Sequence, residues 1–216
     1  MIKTYFVLGT DTDCGKTYTT VALLDYLRQK QINARALKPV ASGCHEEEGV
    51  WVNDDIQCLQ QANGGHSAPI NQWMLQTPIA PHLAAQAAGV SISASKIKAF
   101  YESYPKEGLD YLLIEGAGGL FVPLNDQETW IDFLVQSRIS VILVVGMRLG
   151  CINHALLTAY ALMKQHSPCH GWIANFIDPH MLAQADNLKT LEQWLHYPLI
   201  GTIPYQGTFV PTLGFA

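Results

Sequence analysis

The stretch "YFVLGTDTDCGKT", residues 5–17, runs from a short apolar segment into a glycine-rich turn that ends in Gly15-Lys16-Thr17. The usual phosphate-binding loop has four residues between its first glycine and the Gly-Lys-Thr. Five separate Gly9 from Gly15. Residues 16–30 then carry Val21, Leu24 and Leu27 on one helical stripe, with Arg28 and Lys30 near the end where cations suit the helix dipole. Strand, turn and helix in that order give the tripeptide a mechanism. Successive main-chain N–H groups form a concave anion site at the helix start. Gly15 lets phosphates approach, Lys16 places a cation on the β/γ-phosphates, and the Thr17 hydroxyl suits Mg²⁺.

Outward from this stretch, short apolar runs recur at Ala34–Lys38, Tyr111–Ile114, Val141–Val145, Trp172–Asn175 and Leu199–Ile203. Their continuous apolar character fits strands buried on both faces. Helical patterns lie between them. Residues 153–165 carry Leu156, Leu157, Tyr160, Ala161 and Met163, and residues 180–196 carry Met181, Leu182, Ala185, Leu188, Leu191 and Leu195. Alternation of this kind predicts right-handed βαβ units. The expected fold class is α/β, a mostly parallel β-sheet flanked by helices, P-loop NTPase-like. The long interval from Pro39 to Asp110 holds helical patterns near 53–62, 82–88 and 94–104, and reads as a helical excursion on the sheet. Within it, His45-Glu46-Glu47-Glu48-Gly49 reads as a solvated loop.

The chain has 216 residues, 49% of them apolar and 14% charged, with a net charge of −5. That supports one sizeable core and a single domain over 1–216. The absence of a basic run argues against a nucleic-acid partner. No apolar stretch approaches the roughly 20 residues of a membrane span, and the start of the chain lacks a signal-peptide pattern. The expectation is a cytoplasmic protein without a membrane partner. Five cysteines without Cys-x-x-Cys spacing argue against zinc or a disulfide framework.

A phosphate site needs a further carboxylate for its metal. Glu115 in "YLLIEGAGGLFVPL", 111–124, reads as leaving a strand at its carboxyl end, where open α/β sheets bind ligands. Gly116, Gly118 and Gly119 then allow close approach by a ligand. Asp54 and Asp55 in "NDD" are a second candidate, but Asn53 or Asp54 would also serve as a helix N-cap. The residues alone favour that structural role.

Taken together, these segments resemble the dethiobiotin synthetase family. The resemblance spans nearly the whole chain: "YFVLGTDTDCGKT" (5–17), "ALKPVASGC" (36–44), "NDD" (53–55), "EGAGGLFVPL" (115–124), "VILVVGMRLGCINHALLT" (141–158), "GWIAN" (171–175) and "IGTIPY" (200–205). The longer loop is that family's form. The resemblance implies ATP- and Mg²⁺-dependent closure of a cyclic urea on 7,8-diaminononanoate (diaminopelargonate) with CO₂, giving dethiobiotin. The path runs through a carbamate and a carbamic–phosphoric anhydride.

By that resemblance Lys16 lies on the γ-phosphate and Lys38 near the carbamate, while Ser42 and Thr12 meet the diamine or its carbamate. Thr17, Asp55 and Glu115 hold Mg²⁺, which reverses the structural reading of Asp55. Asp13, Cys14, Gly15 and Tyr18 join Lys16 and Thr17 in the nucleotide site, with Gly116, Ala117 and Gly118 after Glu115. Asn175 and Phe176 read the base, lined by Pro204, Tyr205 and Gln206. Gly150, Cys151, Ile152 and Asn153 receive the far carboxylate of the substrate from the partner subunit, which implies a homodimer with shared active sites. His154 reads as structural. Asp13 stands where well-known members carry glutamate, and the tail, "YQGTFVPTLGFA", is shorter than usual, which bears on base selectivity. The rival reading is a P-loop regulatory ATPase switch of the partitioning type. Such loops carry an additional lysine before the Gly-Lys-Thr, and residues 10–14 have none.

Overall fold

The computed structural model describes residues 2–212. The last four residues of the tail, 213–216, lie outside the described residues. In chain order the elements are β1 (Lys3–Gly9), α1 (Lys16–Gln29), β2 (Ala34–Leu37), β3 (Val40–Ser42), β4 (His45–Glu47), β5 (Val50–Val52), α2 (Asp54–Ala62), β6 (Trp73–Leu75) and α3 (Pro81–Ala87). There follow α4 (Ala94–Ser103), β7 (Tyr111–Gly119), α5 (Trp130–Ser137), β8 (Ser140–Gly146), α6 (Cys151–Lys164), β9 (Cys169–Asn175), α7 (Gln184–Trp194), β10 (Leu199–Ile203) and β11 (Val210–Pro211).

The main sheet has the order β11-β10-β9-β8-β1-β7-β2. Its ladders are parallel except for the antiparallel β10–β11 edge. The central strands are buried on both faces: Phe6, Val7 and Leu8 of β1, and Ile142 to Val145 of β8, have no exposed surface. That is why they read as unbroken apolar runs. The chain leaves β1 toward β2 on one side, and leaves the adjacent β8 toward β9 on the other. Their carboxyl ends therefore diverge into the crevice where such sheets bind ligands. Among the described residues no helix is long and apolar enough to cross a membrane.

Several expectations from the sequence need correction. The Pro39–Asp110 interval is not purely helical: β3 pairs with β6 in a small parallel sheet. The acidic run His45–Gly49 is not an irregular loop. It forms the first strand and the turn of the β4–β5 hairpin, in which His45 faces Val52 and Glu47 faces Val50. Its side chains are exposed, so no apolar alternation marked it. Helix α5 carries a sequence signal that the reading passed over. The Asp132 carboxylate accepts from the Thr129 N–H at 2.7 Å and from its hydroxyl at 3.0 Å, and this holds the helix start. Helix α7 begins at Gln184, not 180, after Ala183 in the left-handed region at φ 52°. Leu182, counted in its stripe, is exposed. In α6 the buried face is Cys151, Ala155, Thr158, Ala159 and Leu162, while Leu157, Tyr160 and Met163 face outward.

Strand β7 also runs further than the sequence suggests. It continues through Gly119, so Glu115 sits inside the strand opposite Val7, not at its end. The register then shifts, and Gly9 faces Gly119. Gly116 has a packing reason to lack a side chain: a Cβ there would meet the Phe6 ring at 2.7 Å. Phe6 is itself held between Trp130 and Phe133, with ring centroids at 5.2 and 5.4 Å. Gly116→Ala is therefore expected to lower stability by about 1–3 kcal/mol in urea unfolding, the usual cost of overpacking. The nearest neighbour of a Cβ on Gly119 is 3.6 Å away, so Gly119→Ala should cost much less.

Candidate functional site

The loop between β1 and α1 is held open by its neighbours. Gly15 has φ 81°, and a Cβ on it would lie 2.0 Å from the Asn175 side-chain nitrogen, so both conformation and space demand glycine. Asp13 also lies in the left-handed region, at φ 55°, which a short polar side chain tolerates. Thr10 donates its N–H to the Val144 carbonyl at 3.0 Å, which ties the loop to β8. Asn175 Nδ2 donates to the Cys14 carbonyl at 3.0 Å, which ties it to the end of β9. Lys16 is buried, and its Nζ curls back to the Asp11 carbonyl at 3.0 Å. The Asp11 carboxylate bonds Arg148 and accepts from the Thr12 N–H at 2.7 Å.

Behind the loop lies a buried acid. Glu115 has no exposed surface, and every donor that reaches it comes from another element. Thr17 Oγ1 donates to its Oε1 at 2.6 Å, and Lys38 Nζ to the same oxygen at 2.7 Å. The Thr20 hydroxyl lies 2.7 Å from Oε2 and 2.9 Å from the Lys16 carbonyl, so its one proton is shared between two acceptors. Lys38 also bonds Asp55. Its backbone is fixed where β2 ends before Pro39, because its N–H donates to the Ile70 carbonyl at 2.8 Å. Burial pulls the Lys38 ammonium down, but the charges of Glu115 and Asp55 outweigh it and the net shift is upward. Burial likewise pushes the Asp55 carboxyl up, and Lys38 outweighs that, so Asp55 lies below its ordinary value.

Asn53, not an aspartate, caps α2: its side chain accepts from the Ile56 N–H at 3.3 Å. That leaves Asp55 out of the cap, against the structural role that the residues alone favoured, and its carboxylate meets Lys38. Thr12, Lys16, Thr17, Lys38, Ser42 and Asp55 line one cleft of about 350 Å³. Asp13, Gly15, Tyr18, Ala41, Ala117 and Gly118 complete its wall. Cys14 is buried beneath the loop. Two carboxylates and a hydroxyl already gathered around an ammonium are a donor set that fits Mg²⁺, with phosphates and waters filling the other positions. Among the described residues no group of three His, Cys, Asp or Glu forms a cage for another metal.

The sheet brings the other nucleotide candidates together. Ile203 pairs with Asn175, and the Phe176 N–H donates to the Ile203 carbonyl at 2.9 Å, so Asn175–Phe176 and Pro204–Gln206 run side by side. The Tyr18 hydroxyl reaches the Gly207 carbonyl at 2.7 Å, which ties this segment to α1. Gly150, Cys151, Ile152 and Asn153 do not line the cleft of their own chain. Gly150, at φ 93°, is the N-cap of α6, so Asn153 is not the cap and lies inside the helix. Asn153 faces a separate apolar hollow with Leu157, Tyr160 and Trp194. His154 comes within 3.9 Å of Asp11. Sequence reasoning missed Thr20 and Arg148. Thr20 follows Thr17 by one helical turn, a spacing that places both on one face. Nothing in the sequence links Arg148 to Asp11.

The AAA domain family matches residues 3–212. The ATP-dependent dethiobiotin synthetase BioD of Legionella pneumophila (strain Paris) is 48% identical over 206 residues, covering 95% of both chains. The enzyme of the same name from Nitrosospira multiformis is 44% identical over 205 residues, covering 95% of this chain and 89% of its own. Among solved structures, the septum site-determining protein MinD of Pyrococcus horikoshii OT3, complexed with Mg-ADP, aligns at a TM-score of 0.58 with 15% identity, over 94% of this chain and 82% of that one. Cell division protein FtsY of Thermotoga maritima aligns at 0.60 with 14% identity, over 98% of this chain; the chain spans 65% of that protein's length. At such identities these two likenesses show the fold alone.

Thr20→Val should lower stability by about 1–3 kcal/mol in urea unfolding, because one oxygen of a buried carboxylate loses its donor. Thr20→Ser should restore it. The Lys38–Asp55 pair sets a second expectation. A depressed carboxyl contributes its stability fully above the unfolded value of 3.8 and loses it as pH falls through the lower folded value. A raised lysine contributes fully below 10.5 and loses it as pH rises through the higher folded value. The stability gap between wild type and Asp55→Asn should therefore stay constant from about pH 5 to about pH 9 and close in stronger acid and in stronger alkali.

Proposed function

The chain belongs to the dethiobiotin synthetase family, and from that premise we propose that it is an ATP-dependent cyclo-ligase of biotin biosynthesis that closes a urea ring on 7,8-diaminononanoate with CO₂. The observation that carries this reading is the meeting of Lys16, Thr17, Lys38 and Asp55 on one cleft beside the phosphate loop, with Glu115 buried behind them and bonded to Thr17 and Lys38. An amine of the substrate captures CO₂ as a carbamate. The carbamate oxygen attacks the γ-phosphorus and ADP leaves. The second amine then attacks the carbonyl carbon of the resulting carbamic–phosphoric anhydride, phosphate departs, and the ring closes.

Two anions must meet in the phosphoryl step, so the protein's contribution is mainly positioning and charge. Lys16 holds the γ-phosphate from its buried position at the helix start. Lys38 faces the carbamate, and Ser42 and Thr12, which line the same cleft, orient the diamine. Thr17, Asp55 and Glu115 would hold Mg²⁺, which supplies charge neutralisation at the phosphate oxygens when bound. Asp13, Cys14, Gly15 and Tyr18 wrap the phosphates, joined by the main chain of Gly116, Ala117 and Gly118. Asn175 and Phe176, with Pro204, Tyr205 and Gln206, form the base end.

Gly150, Cys151, Ile152 and Asn153 would serve the active site of a partner subunit, with main-chain N–H groups at the start of α6 receiving the substrate carboxylate. Support comes from their distance from the chain's own cleft and from the outward apolar face of α6, where Leu157 is 60% and Tyr160 56% exposed. The reading thus includes a homodimer with shared sites, residues 1–216 acting as one domain, and a cytoplasmic location.

Purified protein given ATP, Mg²⁺, bicarbonate and the diamine should release ADP in step with cyclic urea. Equal ATP turnover without the diamine, and no urea, would replace this reading with a regulatory switch. Lys16→Ala should abolish triphosphate binding and turnover together. Lys38→Ala should lower turnover by about 10²-fold or more while sparing nucleotide binding, a loss typical of a group that stabilises developing charge.

A further inference from the structure

Lys38 occupies the place where a cation is needed. Its Nζ donates to Glu115 Oε1 at 2.7 Å and also bonds Asp55. The same Glu115 oxygen takes the Thr17 hydroxyl at 2.6 Å. The ammonium therefore sits among the three side chains read above as the Mg²⁺ ligands, and the argument rests on that reading. Two carboxylates facing one another, one of them wholly buried, need a positive charge between them. Lys38 supplies that charge.

A divalent cation that took these oxygens would compete with the lysine for them. Each would lie within a few ångströms of the other in a poorly screened site, and like charges at that distance repel strongly. The lysine is the one with room to move. Its backbone is pinned by the Ile70 carbonyl and followed by Pro39, so the side chain alone can swing. One side of it opens on the cleft shared with Thr12, Lys16 and Ser42. We propose that Lys38 is the resident counter-ion of the metal ligand set and is exchanged for the divalent cation. Metal entry turns the ammonium from a partner of Glu115 and Asp55 into an unpaired cation facing the substrate. The charge that receives the carbamate is thereby made available only when the metal is in place. Lys38 then serves in turn as counter-ion of the two carboxylates and as anion-binding group for the substrate.

Manganese titration followed by electron paramagnetic resonance, without nucleotide, tests the exchange. Lys38→Met should bind Mn²⁺ at least about tenfold more tightly than wild type, because the competing ammonium is gone. Lys38→Arg, which keeps a cation, should not gain. Adding Glu115→Gln to Lys38→Met should remove the gain, and the surface change Lys96→Met should have no effect. Wild-type protein gives an independent readout that needs no variant. Acylation of Lys38, followed by mass spectrometry, should rise several-fold on saturation with Mn²⁺. Two failures are distinguishable. If Glu115→Gln leaves Mn²⁺ affinity unchanged in the presence of ADP, the ligand set falls and the exchange with it. If Glu115→Gln weakens binding but Lys38→Met gains nothing, or Lys38 acylation ignores the metal, the exchange alone is overturned.

Discussion

A carboxylate with no exposed surface, Glu115, is the constraint around which the site is built. Burial of such a group is tolerable only if nearby donors and a positive charge replace the water it has lost. None of those donors is adjacent to it in the chain. Thr17 and Thr20 come from α1, and Lys38 from the end of β2. The acid thus fixes three separate segments relative to one another, and they converge on a single point behind the phosphate loop. Asp55 is drawn in as the second partner of Lys38, because Asn53 relieves it of capping α2.

The loop itself depends on the strands beside it. Its carbonyl at Cys14 is held by Asn175 from β9, and its N–H at Thr10 by Val144 from β8. Arg148 clamps Asp11, whose carbonyl in turn holds Lys16. The lysine that would meet a phosphate therefore rests on its own loop, and a triphosphate would have to draw it away. Both lysines of the cleft share this character. Each is buried against oxygen atoms of the protein, so its charge is partly satisfied before any ligand arrives. Charge placed in advance costs less reorganisation when the substrate arrives.

The outer face of α6 has a different logic. Cys151, Ala155 and Leu162 pack inward, while Leu157, Tyr160 and Met163 extend the apolar surface outward beside Trp194. Read as one stripe, its residues gave the helix correctly but said nothing about which of them the fold buries.

By itself the sequence determined the fold class, the six parallel strands and the loop that opens α1, whereas Thr12, Lys38, Ser42 and Asp55 were assigned to the cleft by family resemblance. The first three are legible because they are local: a strand buried on both faces is continuously apolar, and Gly15, Lys16 and Thr17 are neighbours in the chain. The tertiary structure alone decided that Glu115 lies within a strand, that Gly116 makes room for Phe6, that Thr20 shares the acid with Thr17, and that Lys38 bridges two carboxylates. It also decided that the acidic run at 45–49 forms a hairpin. Each of these is a contact between residues far apart in the chain or a pairing of exposed side chains. Periodicity cannot carry such information, because it records which face is buried and not what lies against it.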